Sequence, residues 1–478
     1  MSAGSSASYA SLNMSVPTSH PPLRSEFLAA LGQDFDAAQL MLDPAECWTY
    51  GYDNSRLHQA PIAVVLPENT AQVQTLLRLC QAHRVPLVVR GSGTGTAGAA
   101  VPAEGGVVMS TERLNRILRV DPDNRLMVVE PGVSNQAVQD AAAEHGFFWP
   151  PDPTSSAVCT IGGNIACNAA GPRAVKYGTP RDNLLGLEIV TPSGERIRTG
   201  TATSKGVVGY DLTRLIAGSE GTLAVITQAT LKLSPLAEAR RSLRATYTDM
   251  HRAAEAVSRI MAQPVTPCAL EFMDGAALAM IRDYAEIALP HGAAAMLMIE
   301  VDGPASCIEQ AAAALQSAAQ GEGCVECVLA RDQTEVTELW RVRKALSPAL
   351  RKVAPKKINE DVVVPVSQIP TLIAGIEALA RRFQMTIVNF GHAGNGNIHV
   401  NLLVDPDDPA QMANAEACLS ELFDLVLKLE GSLSGEHGIG LVKKAFVPRE
   451  ISPAAMALMH GIKQVFDPLG ILNPGKGF

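Results

Sequence analysis

The sequence predicts an α+β protein assembled from two stretches of different texture, and three observations carry that prediction. Up to about residue 236, short apolar runs are broken by glycine, proline and small residues, the pattern of short strands joined by turns. From Ala237 to Gln384, strand-like runs alternate with alanine-rich amphipathic segments, which is α+β organisation. Length is the third: 478 residues exceed one ordinary core, and at roughly 150 residues per domain two or three domains are expected.

Residues 1–24 read as a disordered tail, because the first 20 are rich in Ser and Ala and carry no Lys or Arg. Neither a secretory signal nor a transit peptide has that composition. A helix is predicted after Pro67-Glu68-Asn69-Thr70, where Val73, Leu76, Leu77 and Cys80 fall at helical spacing and Asn69 or Thr70 supplies the cap. The strand Pro86–Arg90 then runs into Gly91-Ser92-Gly93-Thr94-Gly95-Thr96-Ala97-Gly98. Gly93, Gly95 and Gly98 match G-x-G-x-x-G, yet Pro102 and Gly105-Gly106 block the helix that a Rossmann phosphate site requires directly afterwards. The loop is either a nest of backbone N–H groups for phosphate or a plain connection.

More small-residue stretches follow: Val129–Val133, Pro150–Ser155, Thr160–Gly171, Gly209–Leu212 and Ile216–Leu223. Spread over so many positions, they suggest backbone pressed against an extended planar ligand; hairpin turns in a sheet-rich domain are the plainer alternative. Further on, a strand is predicted over Ala294–Val301 and helices over Ile308–Ala319 and Thr334–Leu350. The last of these carries Trp340, Arg341, Arg343, Lys344 and Ser347, a solvated face or a carboxylate clamp. Phe466–Lys476 is turn-rich and suits a docked terminus.

The chemistry concentrates in His392-Ala-Gly-Asn-Gly-Asn-Ile-His399 and Ser434-Gly435-Glu436-His437-Gly438. Imidazoles and a carboxylate suit Zn, Mn or Fe(II), and three protein ligands leave positions open for substrate. The structural alternative is two histidines ending adjacent hairpin strands and a Glu-His pair in a turn. Composition narrows the classes. No apolar stretch of about 18 residues exists to span a membrane, and a net charge of -9 disfavours nonspecific nucleic-acid binding. Nine scattered cysteines indicate reduced thiols. Cys324-Val325-Glu326-Cys327 lacks the second pair that a zinc ribbon or iron–sulfur site needs.

These motifs, in this order from about Ala60 to Phe478, resemble the FAD-dependent 2-hydroxyacid dehydrogenases of the vanillyl-alcohol oxidase/p-cresol methylhydroxylase superfamily, the group of D-lactate dehydrogenase, D-2-hydroxyglutarate dehydrogenase and the glycolate oxidase flavin subunit. The resemblance implies a PCMH-type FAD-binding domain over 25–236 with its core at 57–236, a substrate cap with an antiparallel sheet over 237–425, and a segment 426–478 returning to the flavin. By the same resemblance Arg90, Gly91, Ser92, Gly93, Thr94 and Gly95 hold the FAD pyrophosphate. Pro151, Asp152, Thr154, Ser155, Ile161, Gly162, Gly163, Asn164, Cys167, Asn168, Gly171, Glu220, Gly221 and Ile226 line the cofactor, and Asn473 and Lys476 close the pocket. No histidine lies in the glycine loop or in Pro150–Gly171, where Cys159 and Cys167 are the only thiols, so non-covalent FAD is expected.

His392, His399 and Glu436 are implied to bind a divalent metal, Zn or Mn, with His437 as general base, Arg343 and Ser347 on the substrate carboxylate, and Asn401 beside the metal. Asn359 stands where the D-2-hydroxyglutarate enzymes carry a Lys for the distal carboxylate. Lys357 is the remaining candidate, and the Glu360-Asp361 pair disfavours a dianion. D-lactate is therefore favoured. The alternatives are a D-2-hydroxyglutarate dehydrogenase or glycolate oxidase flavin subunit, an O2-using oxidase, and a non-catalytic flavin subunit. The partners implied are a small 2-hydroxy acid, a separate electron acceptor (quinone, cytochrome or electron-transfer flavoprotein) and a second copy in a homodimer. The expected location is the cytoplasm, with peripheral membrane attachment through a partner.

Overall fold

The computed structural model describes residues 21–285, 290–337, 339–340, 346, 350 and 355–478. They form two compact units, and the architecture is α+β. One unit contains residues 21–171, Gly178–Leu236 and Glu436–Phe478. Its first sheet is formed by β1 (Leu40–Met41), β2 (Ala63–Val65), β3 (Leu87–Arg90) and β4 (Val107–Ser110), in the order β1-β2-β4-β3. β4 runs parallel to both β2 and β3. A parallel β2 and β3 need a crossover, and the helix Thr70–His83 supplies it. Its cap is the predicted one: Asn69 Oδ1 accepts the Gln72 N–H at 3.0 Å, and the predicted face of Val73, Leu76, Leu77 and Cys80 is fully buried. Phe27, Leu31 and Phe35 pack into the same core. They belong to or follow a helix that starts at Pro21, inside the segment read as tail.

The second sheet of this unit is antiparallel: β5 (Ile117–Asp121), β6 (Leu126–Val129), β8 (Leu184–Val190), β9 (Arg196–Gly200) and β10 (Val225–Lys232), ordered β5-β6-β10-β8-β9. β7 (Phe147–Phe148) pairs with β11 (Ser234–Pro235). Beside β7, Trp149 is fully buried and its indole N–H donates to the Asn183 carbonyl at 3.0 Å. The C-terminal residues complete the first sheet. Leu472 bridges Leu87 in parallel, and Leu87 and Asn473 each donate a main-chain hydrogen bond of 2.8 Å across that edge.

The other unit comprises Pro172–Tyr177 and Ala237–Gly435. Its centre is a seven-stranded antiparallel sheet of β12 (Ala239–Tyr247), β13 (Ala269–Asp274), β14 (Ala295–Gly303), β15 (Cys324–Leu329), β16 (Lys356–Val363), β17 (Thr386–His392) and β18 (Asn397–Val404), ordered β15-β12-β14-β13-β17-β18-β16. The helices Met250–Ala262, Ile308–Ala319, Ile369–Arg382 and Pro409–Lys428 form a contiguous layer on the sheet. The helix Gly275–Ala285 covers the other face, where Ala277, Leu278 and Ile281 meet Met273, Met296, Met298, Val388 and Phe390. Of the helix predicted over Thr334–Leu350, residues 334–337, 339, 340, 346 and 350 are described and all are helical. No helix among the described residues is long and apolar enough to cross a membrane, and the nine cysteines form no disulfide.

Candidate active site

In the first unit, β3 ends at Arg90 and the chain enters the glycine loop. Arg90 is buried, its guanidinium donates to the Tyr52 carbonyl, and it lies 5.8 Å from the ring centres of both Tyr50 and Tyr52. Gly93, with φ +69°, sits directly against that guanidinium, so a Cβ there would overlap it. A Cβ on Gly91 would overlap Thr160 Oγ1, and Ser92 Oγ donates to the Val158 carbonyl at 2.5 Å. Asn54 uses the carbonyls of Thr94 and Gly95. The N–H groups of Ser92–Thr96 donate to no acceptor among the described residues. Such a run of spare donors is an anion-binding concavity.

Three further segments converge on this loop's surroundings. Asn135 Nδ2 donates to the Pro151 carbonyl at 2.9 Å, and the Asp152 N–H donates to Ala170 at 3.0 Å. Gly171 (φ +84°) leaves no room for a Cβ beside Asp152. Thr154 and Ser155 lie in the turn closed by Ser156 N–H to the Pro153 carbonyl at 2.8 Å. The small-residue stretch Thr160–Gly171 is partly a helix, Ile161–Cys167, capped by Thr160 Oγ1 on the Gly163 N–H and ended by Asn168 at φ +52°. Gly162 lets it approach Pro131, with 2.6 Å left for a Cβ. Asn164 is buried, and the side chains of Ile161 and Ile226 belong to the apolar core beneath. These two residues therefore offer only main chain to a ligand. Gly218 and Glu220 donate to the carbonyls of Ile165 and Ala166 at 2.9 and 2.8 Å. The buried Glu220 carboxylate accepts the Ile439 and Gly440 N–H groups at 2.6 and 2.8 Å.

Asn473 ties the assembly together. Its Nδ2 donates to the carbonyls of Ala99 and Glu220, next to Gly221, and its Oδ1 accepts from Lys476 Nζ at 2.5 Å. Burial pushes the Lys476 ammonium down to about 7, partly opposed by Asp53, Glu220 and Glu104. Glu436 and His437 also belong to this unit. Glu436 Oε2 accepts the Gly171 N–H at 2.9 Å, and His437 Nε2 lies 4.0 Å from Glu436 Oε1.

In the second unit, the pleat of the large sheet puts polar residues on one face. The ladder sets Glu271 opposite His392, Phe390 opposite His399, Asp361 opposite His399, and Asn359 opposite Asn401. His392 and His399 are only 4% and 5% exposed. Their ring centres lie 5.2 Å apart at 85°, with nitrogens within 4.8 Å of each other. The hairpin placement of the two histidines is met, since they stand on the adjacent strands β17 and β18. Glu271 Oε1 is 2.5 Å from His392 Nδ1. Asn401 Nδ2 donates to the carbonyls of Val388 and His399, both at 3.1 Å. The Oδ1 atoms of Asn359 and Asn401 are buried without a partner among the described residues. Lys357 shares their face of β16 and is partly buried.

Glu360 and Asp361 do not act as the pair their adjacency implied. The pleat sends them to opposite faces, and Asp361 holds the Gly435 N–H at 2.9 Å and Ser434 Oγ at 3.1 Å. Arg343 and Ser347 lie outside the described residues. Sequence reading missed Glu271 as a neighbour of His392. The available signal was a lone carboxylate inside the apolar run Ala269-Leu270-Glu271-Phe272-Met273, because a buried charge needs a partner.

Residues 61–200 match the family model described as FAD binding domain, and residues 236–477 match FAD linked oxidases, C-terminal domain. The chain belongs to the FAD-linked oxidase family. The glycolate oxidase subunit GlcD of Bacillus subtilis (strain 168) is 40% identical to this FAD-linked oxidase over 430 residues, 90% of this chain and 92% of the relative. A D-lactate dehydrogenase of Archaeoglobus fulgidus is 36% identical over 434 residues, 89% of this chain and 95% of the relative. Among solved structures, p-cresol methylhydroxylase with substrate bound matches with a TM-score of 0.78 over 96% of this chain and 98% of that one, at 17% identity. That likeness shows the fold, which is PCMH-type. The first unit fits FAD on its own geometry: spare N–H donors suit a pyrophosphate, and the glycines that press on Arg90 and Thr160 leave a cradle without side chains.

Proposed function

We propose that this FAD-linked oxidase oxidises a small D-2-hydroxy acid, D-lactate before others, to the 2-keto acid, and passes the electrons to a separate acceptor. The observation that carries the reading is the buried imidazole pair His392/His399 on one sheet face, flanked by Glu271, Asn401 and Asp361. Asp361 fixes Gly435, and Glu436 and His437 are the next residues along the chain. The two imidazoles, with Glu436 as the third ligand that the family resemblance implies, would make a nitrogen and oxygen donor set suited to Zn or Mn.

A divalent ion held there would lower the pKa of a substrate hydroxyl, and FAD, when bound, supplies the hydride acceptor. The chain's own residues do the rest. His437 takes the hydroxyl proton as general base. Asn401 presents its Oδ1 beside the substrate, its Nδ2 being committed to two carbonyls. The spare N–H groups of Ser92–Thr96 hold the cofactor's phosphates. Attachment of the flavin is non-covalent: burial pushes the Cys159 thiol up and the Cys167 thiol up to about 12, and a protonated thiol is a poor nucleophile.

A second reading, D-2-hydroxyglutarate, gains from one feature. With Glu360 turned away and Asp361 satisfied by Gly435 and Ser434, the acidic pair no longer opposes a distal carboxylate, and Lys357 faces the same side. Anaerobic titration of the flavin absorbance with D- and L-2-hydroxy acids, before and after chelation, tests both readings. Bleaching by D-lactate that EDTA abolishes and Zn or Mn restores is the expected result. Bleaching by D-2-hydroxyglutarate alone favours the second reading, and no bleaching by any of them refutes the enzyme reading.

A further inference from the structure

We infer that Glu271 is a positioning residue for His392: it sets the imidazole's tautomer and ring orientation so that Nε2 is presented as a metal donor. The inference rests on the metal-binding reading above and deepens it. Glu271 is 1% exposed and is the single charged residue within the otherwise apolar segment Ala269–Met273 of β13. Its ladder partners are Met298 on one side and His392 on the other. Its Oε1 stands 2.5 Å from His392 Nδ1, a charge-assisted distance between two groups that are both almost fully buried.

A neutral imidazole has one N–H and one lone pair. When the carboxylate takes the N–H at Nδ1, the lone pair must sit on Nε2. The carboxylate also makes the ring a stronger donor, the usual outer partnership of a metal-bound histidine. The register of β13 against β17 delivers this without a loop. Glu271 and His392 are directly paired residues of one antiparallel ladder, so side-chain rotation about fixed strands is all that remains to adjust. His399, whose ring stands at 85° to His392, then meets a neighbour of fixed orientation.

The test uses the FAD-loaded full chain as wild type, Glu271→Ala and Glu271→Gln. Zn2+ affinity is measured by competition with a chromophoric chelator, and the visible spectrum of the Co2+-substituted protein reports ligand geometry. We expect about 10- to 100-fold weaker Zn2+ binding for Glu271→Ala. Glu271→Gln, which keeps an acceptor oxygen, should lose less and show a shifted Co2+ spectrum. Flavin absorbance and melting temperature should stay near wild type in Glu271→Gln, which separates positioning from general stability. Wild-type Zn2+ affinity together with an unchanged Co2+ spectrum in Glu271→Gln overturns the inference, and that variant decides the matter if Glu271→Ala does not fold. A wild-type protein that binds neither Zn2+ nor Mn2+ overturns the metal-binding reading itself, a distinguishable failure.

Discussion

Asp361 and Gly435 are joined twice: the Gly435 N–H lies 2.9 Å from the Asp361 main-chain oxygen and 2.9 Å from its carboxylate Oδ2. The carboxylate also accepts Ser434 Oγ at 3.1 Å. A fully buried acid on β16 thereby holds the turn that leads into Glu436-His437.

Asp361→Ala removes the carboxyl that accepts Ser434 Oγ and the Gly435 N–H, a loss of about 1–3 kcal/mol, and leaves the turn held only by the main-chain bond. Zn2+ affinity should fall at least tenfold while the flavin spectrum stays that of wild type. Chelator competition on the purified variant checks this. Undiminished affinity would show that the turn needs no anchor.

Gly93→Ala should weaken FAD binding tenfold or more. The residue adopts φ +69°, where an L side chain costs about 1–2 kcal/mol, and its Cβ would displace the Arg90 guanidinium. Gly146→Ala is the matched control, since φ there is +79° with open space around it. Flavin fluorescence on equilibrium release separates the two: the control should lose stability but keep its FAD.

His437→Asn should stay yellow and lose about 10²–10⁴ in turnover, the range for removing a general base. Steady-state rates with D-lactate and an artificial acceptor provide the check. Retention of wild-type turnover would remove His437 from the mechanism.

Asp274 gives a pH signature. It is fully buried, and burial pushes its carboxyl up to about 6, against hydrogen bonds from Ala277 and Asn389. Between the unfolded carboxyl value near 4 and the folded value near 6, the folded state binds more protons than the unfolded state. Stability from this group is therefore fully present below pH about 4 and is lost as pH rises through 6. A shift of about two units corresponds to roughly 3 kcal/mol. Denaturant unfolding of wild type and Asp274→Asn from pH 4 to 7 should show wild type losing about that much relative to the variant. A pH-independent difference would mean the carboxyl is not shifted.

The legible parts of this chain were those in which neighbouring residues determine the outcome. The helix Thr70–His83 announces itself through Asn69 and four apolar residues at one spacing, and Ile308–Ala319 through its amphipathic period; both occur as predicted. Ile161–Cys167 did not, because Gly162 and Gly163 have poor helix propensity. Its helix depends on the Thr160 cap and close contact with Pro131. The Glu271–His392 contact joins residues 121 apart, and only strand register brings them together. Glu360 and Asp361 show the opposite hazard: adjacent letters that a pleat separates.

The bond from Asn473 to the Leu87 carbonyl also has a consequence for synthesis. β3 emerges from the ribosome early, but its outer edge gains its partner only after residue 473 has been added. At roughly 5–20 residues per second, that edge waits on the order of tens of seconds, exposed as a template for wrong pairing. Chaperone protection or early capture of the nucleotide would matter most in this interval, and a ribosome stalled before residue 473 would release a chain whose flavin cradle lacks its final wall.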